Sequence, residues 1–481
     1  MLSLLSKKVL VLGYGAVAKC VLTEIFSFFF NLSPNQIYVV DKSNVFSRHD
    51  FHTFVECMDA VSFPSFCDRI QLNESDIVID LTFSSATYAF IRTCLERGFY
   101  YVNTSIEDNS DAFGGQSISV QQHTVHSMYN EFRKNHPIRS SILLECGQNP
   151  GLIQHYVLFA LNSLQKQTSG VDDYRRETLV SVIDTHQIGS ILMSEVDGMS
   201  TTRPLEDKMY NTWSVAGFVV EAMDKTELVR GTENVYIQPD IRSDMLCPAM
   251  MELIEPYQPE GNEVIFLNRR GYDSTLPSVN MVPGSNGELV CQPFRGRLIH
   301  HGEVFELARY FGEKAPFMSY VYKNNAQLDA SLKAYMENHA CTEDELLLYI
   351  KNNPDSFCVF DNIYSHEHER MKGFDSIGCA IYCGIERVER IIWCGSVLDH
   401  TDPNIHPNFT PTITQVAAGV LSGLSYLLEP TTPFGLYEPC DLNTDYMIRK
   451  SKSLLGQLVM TDIPVHHVPS LDIQFSVRPL R

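Results

Sequence analysis

A strand-like run, Lys8-Val9-Leu10-Val11-Leu12, feeds the turn Gly13-Tyr14-Gly15-Ala16-Val17-Ala18, and a second apolar run, Ile37-Tyr38-Val39-Val40, ends on Asp41. Small residues at this spacing between a strand and a helix predict the first βαβ unit of a doubly wound, dinucleotide-binding (Rossmann) sheet. Gly13 permits the tight turn, Gly15 lets backbone amides approach a pyrophosphate, and Ala18 stands where a third glycine allows close helix-sheet packing. A helix starting near Ala16 and Val17 aims the positive end of its dipole at the phosphates. Asp41 follows the turn by about 20 residues, where an acid accepts hydrogen bonds from ribose hydroxyls. A 2'-phosphate would be repelled there, so the expected cofactor is NAD and not NADP.

The 481 residues leave room for two or three domains. A formal charge of −21 argues against nucleic acid or an anionic membrane as partner. It suits a cationic ligand, although acidity for solubility alone gives the same balance. The 13 cysteines are odd in number and lack CxxC pairs, which reads as reduced thiols in the cytoplasm, with no disulfide framework and no zinc or other metal site. No signal peptide is read at the N-terminus, and the most apolar stretch, residues 21–30, contains Glu24 and is too short to span a bilayer.

Beyond Asp41 strands and helices alternate. Residues 76–81 read as a buried strand, 85–97 as a helix stopped by Gly98, 100–104 as a strand, and 123–135 as a helix ending before Pro137. Residues 141–146 form the next expected strand, opening into Gly147-Gln148-Asn149-Pro150-Gly151 at the carboxyl edge of the sheet, where such folds bind ligands. Thr82, Ser84 and Thr104 follow strands at that edge and are further candidates for cofactor contact. From about residue 178 the pattern loosens, with 179–184 read as a strand, and this implies a second, α+β substrate domain. Residues 412–428 are strongly helical, with Pro411 at the first position and Thr410 as cap, and 445–456 read as another helix. The expected organisation is therefore α/β: a Rossmann domain over 1–152, an α+β catalytic domain over 153–410, and C-terminal helices over 411–481 packing back on the first.

A second cluster, Asn211-Thr212-Trp213-Ser214-Val215-Ala216-Gly217-Phe218-Val219-Val220-Glu221, holds one of only two tryptophans. Were the run helical, Trp213 and Glu221 would share a face and form a receptor for an ammonium group, the ring quadrupole attracting the cation and the acid neutralising it. Such an indole also serves as ordinary core. The pieces Asn103-Thr104-Ser105-Ile106-Glu107, Asn149-Pro150-Gly151, Ser194-Glu195-Val196-Asp197, Asn211 to Val215 with Gly217-Phe218 and Glu221, and Ile299-His300-His301-Gly302-Glu303 follow the glycine turn in order. Taken in that order, the chain resembles the bacterial homospermidine synthases, relatives of the saccharopine dehydrogenase-like enzymes.

That resemblance implies that Trp213 binds a substrate ammonium, that Glu107, Glu195 and Glu221 line a diamine pocket, and that Asn149 and His301 belong to it. His301, with an ordinary pKa of about 6.5, is the expected proton shuttle and Glu221 the second choice. The implied reaction takes a hydride from putrescine onto NAD+, exchanges ammonia for a second amine, and returns the hydride, giving homospermidine with either putrescine or spermidine as donor. Putrescine and related polyamines are the implied partners, and a homodimer the implied assembly. Phe83 and Ser84 stand where relatives tend to carry an acid, and Gly231-Thr232-Glu233 replaces a usual Gly-Thr-His. A saccharopine or carboxynorspermidine type of oxidoreductase, with net cofactor turnover, needs cations for a carboxylate substrate, and Arg203, Arg295 and Arg297 keep that reading open. A non-catalytic NAD-binding protein is the remaining alternative.

Overall fold

The computed structural model describes residues 2–3, 6–45, 51–82, 86–106, 118–201, 210–214, 217–218, 221–222, 225–229, 264–271, 274–299, 301–352, 358–359, 371–384 and 389–465. The chain divides into two compact units, Met1–Leu152 with Ile413–Ser451, and Ile153–Thr412 with Lys452–Arg481.

The first unit is the expected doubly wound layer. Strands β1 (Val9–Leu12), β2 (Ile37–Asp41), β3 (His52–Val55), β4 (Ile77–Asp80), β5 (Tyr100–Asn103) and β6 (Ile142–Leu143) lie in the order 3-2-1-4-5-6, all parallel. Helices α1 (Ala16–Phe28), α2 (Ser62–Arg69), α3 (Thr87–Arg97) and α4 (Ile118–Asn135) supply the crossovers. Every residue of β1, β4 and β5 is buried, as continuous apolar runs in parallel sheets require. The sheet reverses its winding between β1 and β4, which places the Gly13 turn at the topological switch point. The strand expected over 141–146 shortens to β6, because Glu145 turns to a φ of 52° and breaks the ladder.

The second unit opens with α5 (Leu152–Ser169) and α6 (Arg176–Thr185). The latter overturns the strand expected over 179–184. Its β-branched residues suggested a strand, but Leu179, Val182 and Ile183 are the buried ones, an i, i+3, i+4 spacing that only a helix puts on one face.

A nine-stranded mixed sheet follows, built from β7 (Ile188–Asp197), β8 (Lys225–Val229), β9 (Val264–Arg270), β10 (Thr275–Pro283), β11 (Leu289–Ile299), β12 (Phe317–Lys323), β13 (Phe374–Cys383), β14 (Arg390–Asp399) and a last strand, Gln457–Pro464. Only β12 and β7 run parallel. Helices α7 (Gly302–Phe311) and α8 (Ala326–His339) flank β12 in sequence. Leu192 and Val196 of β7 face the core shared with the β10–β11 hairpin, Ala380, Tyr382 and Trp393. Met193, Glu195 and Asp197 alternate onto the opposite face.

Residues 411–481 are not one helical segment packed on the first unit. The helices Pro411–Leu427 and Thr444–Ser451 fall in the first unit, apart from the leading Pro411 and Thr412, but Gln457–Pro464 joins the second as the strand β15, antiparallel to β14. It covers the edge β14 would otherwise leave with unpaired backbone groups, and Arg390 reaches Asp462 at 2.9 Å.

Trp393 is the largest fully buried side chain of the second unit's core. Trp393→Ala is expected to lower the unfolding free energy by about 3–5 kcal/mol in a urea titration, whereas Trp393→Phe refills most of the space and is tolerated. Equal midpoints for the two variants would show that this core does not carry the unit's stability.

Candidate functional sites in the two units

At the switch point Gly13 has a φ of 85°, and a Cβ built there would lie 2.9 Å from the Leu81 carbonyl oxygen, so only glycine makes this turn without strain. A Cβ at Gly15 would meet nothing within 4 Å; the turn opens onto clear space. Helix α1 begins at Ala16 and Val17 with no side-chain cap and no acid in its first turn, which leaves its amino end to an anion. Asp41 closes β2, where Oδ2 accepts from the Tyr14 amide at 2.8 Å and Oδ1 from the Ser43 amide and hydroxyl. The carboxylate is thereby fixed beside the turn, and these residues together fit a dinucleotide.

The other expected cofactor contacts divide. The Thr82 hydroxyl donates to Asp80 at 2.5 Å, and Asp80, buried at the end of β4, also accepts from the Tyr101 phenol at 2.8 Å. Burial pushes the Asp80 carboxyl up, and these hydrogen bonds only partly offset it. Thr104 is half-buried, with its methyl group against the turn at Gly147. Ser84 and Glu107 lie outside the described residues. Asn149 is half-buried in the turn at the end of β6, in the first unit.

The second unit gathers four of the expected residues. Glu195 sits on β7, His301 caps α7, and Trp213 and Glu221 come from the segment between β7 and β8. That segment is not one helix: Tyr210–Asn211 is a short strand paired with Cys358–Val359, and among the described residues a helical hydrogen bond runs from Phe218 N–H to the Ser214 carbonyl. Trp213 therefore stands ahead of the turn, and long-range packing sets its place. Its Nε1–H donates to the Tyr322 hydroxyl at 3.2 Å, and its ring stands edge-on to Tyr322 and the buried Phe218.

The His301 ring is buried and held at both nitrogens, Nδ1 at 3.2 Å from Glu303 and Nε2 at 3.3 Å from Glu221. Beneath it lies Tyr320 of β12, stacked with centroids 4.0 Å apart and planes 11° from parallel. The Tyr320 phenol donates to Glu195 Oε2 at 2.7 Å. Burial alone would push the imidazole's pKa down, but the Glu303 and Glu221 carboxylates outweigh it and raise it well above 6.5. Both neighbours thus favour the protonated ring.

Sequence reasoning placed no role on Glu303, Asp197, Tyr320, Tyr322 or Asp375. Asp375 lies directly opposite Asp197 across the β7–β13 ladder, and both carboxyls are buried. Burial pushes Asp197 up to about 6, even though Thr212, Asn325 and the Met199 amide hydrogen-bond it. Asp375 is raised well above its ordinary value by burial and by the charges of Glu195 and Asp197. Ionising one of these neighbouring buried carboxyls disfavours ionising the next. Burial also holds Tyr320 and Tyr322 neutral, well above their ordinary pKa, with nearby carboxylates adding to the shift.

Among the described residues no group of three or more His, Cys, Asp or Glu forms a metal site, and no helix is long and apolar enough to cross a membrane. A family model described as the saccharopine dehydrogenase NADP binding domain matches residues 9–141. A homospermidine synthase of Mesorhizobium japonicum is 22% identical over 369 residues, 73% of this chain and 68% of the relative. One of Blastochloris viridis is 23% identical over 393 residues, 79% and 74% of the two chains. The solved structure of a Legionella pneumophila homospermidine synthase in complex with NAD superposes with a TM-score of 0.72 at 20% identity, covering 95% of this chain and 91% of that one.

Because the folded-state pKa of His301 lies above its unfolded value, its stabilising contribution is complete below about 6.5 and is lost as pH rises through the raised pKa. Nitrogen-15 NMR of labelled histidine is expected to show both His301 nitrogens protonated at pH 7, and Glu303→Gln to lower the midpoint. A midpoint at or below the ordinary value would refute the two-carboxylate clamp.

Proposed function

We propose that this chain, a saccharopine dehydrogenase-like protein similar to the bacterial homospermidine synthases, is an NAD-dependent aminobutyl transferase. It would couple two putrescines, or putrescine and spermidine, into homospermidine with release of ammonia or diaminopropane. The observation that carries the reading is the buried ring of His301, held between Glu221 and Glu303 and stacked on the tyrosine that binds Glu195.

An aliphatic amine, with a pKa of about 10.4, arrives protonated and must lose that proton before its carbon can give up a hydride. The two carboxylates beside His301 favour its protonated form, which assigns Glu221 as the acceptor and His301 Nε2 as the donor to the departing amine. Glu195 holds a remote ammonium, and the Trp213 ring steadies cationic centres by its quadrupole. Its Nε1–H is committed to Tyr322, which fixes the ring plane. NAD+ bound at the Gly13–Asp41 site would supply the hydride acceptor and return the same hydride. Although the matching family model is described as NADP-binding, the fixed Asp41 carboxylate would repel a 2'-phosphate.

The rival carboxylate-binding reading loses support from the arginines it needs. Arg295 donates to the Thr275 carbonyl and hydroxyl, and Arg297 pairs with Asp329 at 3.5 Å. Arg203 lies outside the described residues.

With NAD+ and putrescine deuterated at its amine-bearing carbons, mass spectrometry is expected to find homospermidine and ammonia with the transferred deuterium retained, and no lasting NADH absorbance. Steady accumulation of NADH would instead identify a simple dehydrogenase. Trp213→Ala should raise the amine KM roughly 2- to 30-fold, the range of a cation–π contact of about 0.5–2 kcal/mol, while leaving NAD affinity intact.

Asp41→Ala is expected to weaken NAD binding and to remove most of the discrimination against NADP. Titration of both nucleotides by calorimetry checks this, and an unchanged ratio of affinities would place the discrimination elsewhere.

A further inference from the structure

Asp197 has no task in the reaction as proposed, yet three hydrogen bonds converge on its buried carboxyl. Its Oδ1 accepts from the Met199 amide at 3.0 Å, and its Oδ2 from the Thr212 hydroxyl at 2.5 Å and the Asn325 amide group at 2.7 Å. Asn325 ties further groups together: Nδ2 reaches Asn211 Oδ1 at 3.1 Å, and its own Oδ1 caps α8 by accepting from the Leu328 amide at 2.8 Å. Asn211 Oδ1 also accepts from the Thr212 amide, and the Thr410 hydroxyl donates to the Thr212 carbonyl at 3.1 Å. Asp197, Asn211, Thr212, Asn325 and Thr410 are all buried. The amide, carbonyl and hydroxyl of Thr212 are thus each engaged, and the next residue is Trp213.

The indole itself has only one polar tether, Nε1–H to the Tyr322 hydroxyl. A Cβ at Gly217 would lie 2.9 Å from indole Cζ3, so the ring lies against backbone on that side. One hydrogen bond at the ring edge sets a direction but leaves the position of the ring's Cα to the preceding peptide. We propose that Asp197 is the positioning residue for Trp213: by joining Thr212 and Asn325 in one buried junction it fixes the peptide before the indole, so the ring offers a preset face to a cationic substrate. Any effect on amine binding rests on the function proposed above; the placement of the ring does not.

The experiment uses the full chain carrying Trp393→Phe, so that Trp213 is the only tryptophan emitter. Thr212→Val keeps the side-chain shape and removes the donor to Asp197, whereas Thr212→Ser keeps the hydroxyl. Loss of this buried hydrogen bond is expected to raise acrylamide quenching of Trp213 about twofold and the amine KM about tenfold, with kcat changed less than about twofold. Thr212→Ser should restore the parent values in both readouts. Tyr156→Phe removes a buried hydroxyl that donates to Ser396 at 3.0 Å, elsewhere in the unit, and measures the effect of destabilisation alone.

Asp197→Asn supplies a second route should Thr212→Val fail to fold, since it turns one acceptor oxygen into a donor at nearly constant volume, and the same rise in quenching is expected. The proposal is overturned if Thr212→Val and Thr212→Ser behave alike, or if quenching in Thr212→Val or Asp197→Asn rises no more than in Tyr156→Phe. If the parent turns over no amine the functional reading fails, and the quenching comparison still decides the role of Asp197.

Discussion

Burying carboxyl groups on a sheet face is the constraint around which the second unit is organised. An isolated ionised acid in such a place is costly, and it persists only with hydrogen-bond donors, a cation or a retained proton. The unit uses all three. Glu195 receives the Tyr320 phenol, Asp197 receives Thr212, Asn325 and the Met199 amide, Glu221 and Glu303 flank the His301 ring and favour its charged form, and Asp375 is pushed toward its protonated form. Met199 and Glu303 lie two residues from their partners, but Tyr320, Thr212, Asn325 and Glu221 come from other segments, so the acids act as points at which distant parts of the chain are joined.

The period-two alternation of strands then orders the site. Glu195 and Asp197 are two apart on β7, Tyr320 and Tyr322 are two apart on β12, and the strands pair in parallel with Tyr322 opposite Glu195. One thread runs from Glu195 through Tyr320 to His301; the other runs from Asp197 through Thr212 to Trp213, whose ring is tied to Tyr322. The His301 and Trp213 rings therefore hang from alternate positions of one strand, Tyr320 and Tyr322. A one-residue slip between β7 and β12 would send both acids into the apolar core, so the register is as well specified as the core beneath it.

How much of this the sequence disclosed depends on whether the determining interaction was short-range. The Gly13 turn, the terminal Asp41 and the helix beginning at Pro411 were legible because each rests on neighbours within a few residues. Helix α6 was misread because its β-branched composition outweighed its spacing, and Gln457–Pro464 was missed because its role is to complete the edge of a distant strand. Within the site, Trp213, Glu195, Glu221 and His301 were named through a family resemblance. Asp375 and the two tyrosines were invisible, since their meaning arises only when β13 and β12 are laid beside β7.

The electrostatics of His301 have the same origin. An imidazole considered alone titrates near neutrality, which makes it equally suited to taking or giving a proton. Two carboxylates in contact remove that symmetry, because they stabilise the charged ring at both nitrogens. The stacked tyrosine contributes no charge of its own, since burial and the neighbouring acids keep its phenol neutral. What remains is a ring whose charged form is favoured by its surround. Under the function proposed above, such a surround would favour substrates that bring positive charge and would keep a proton at hand for a leaving amine.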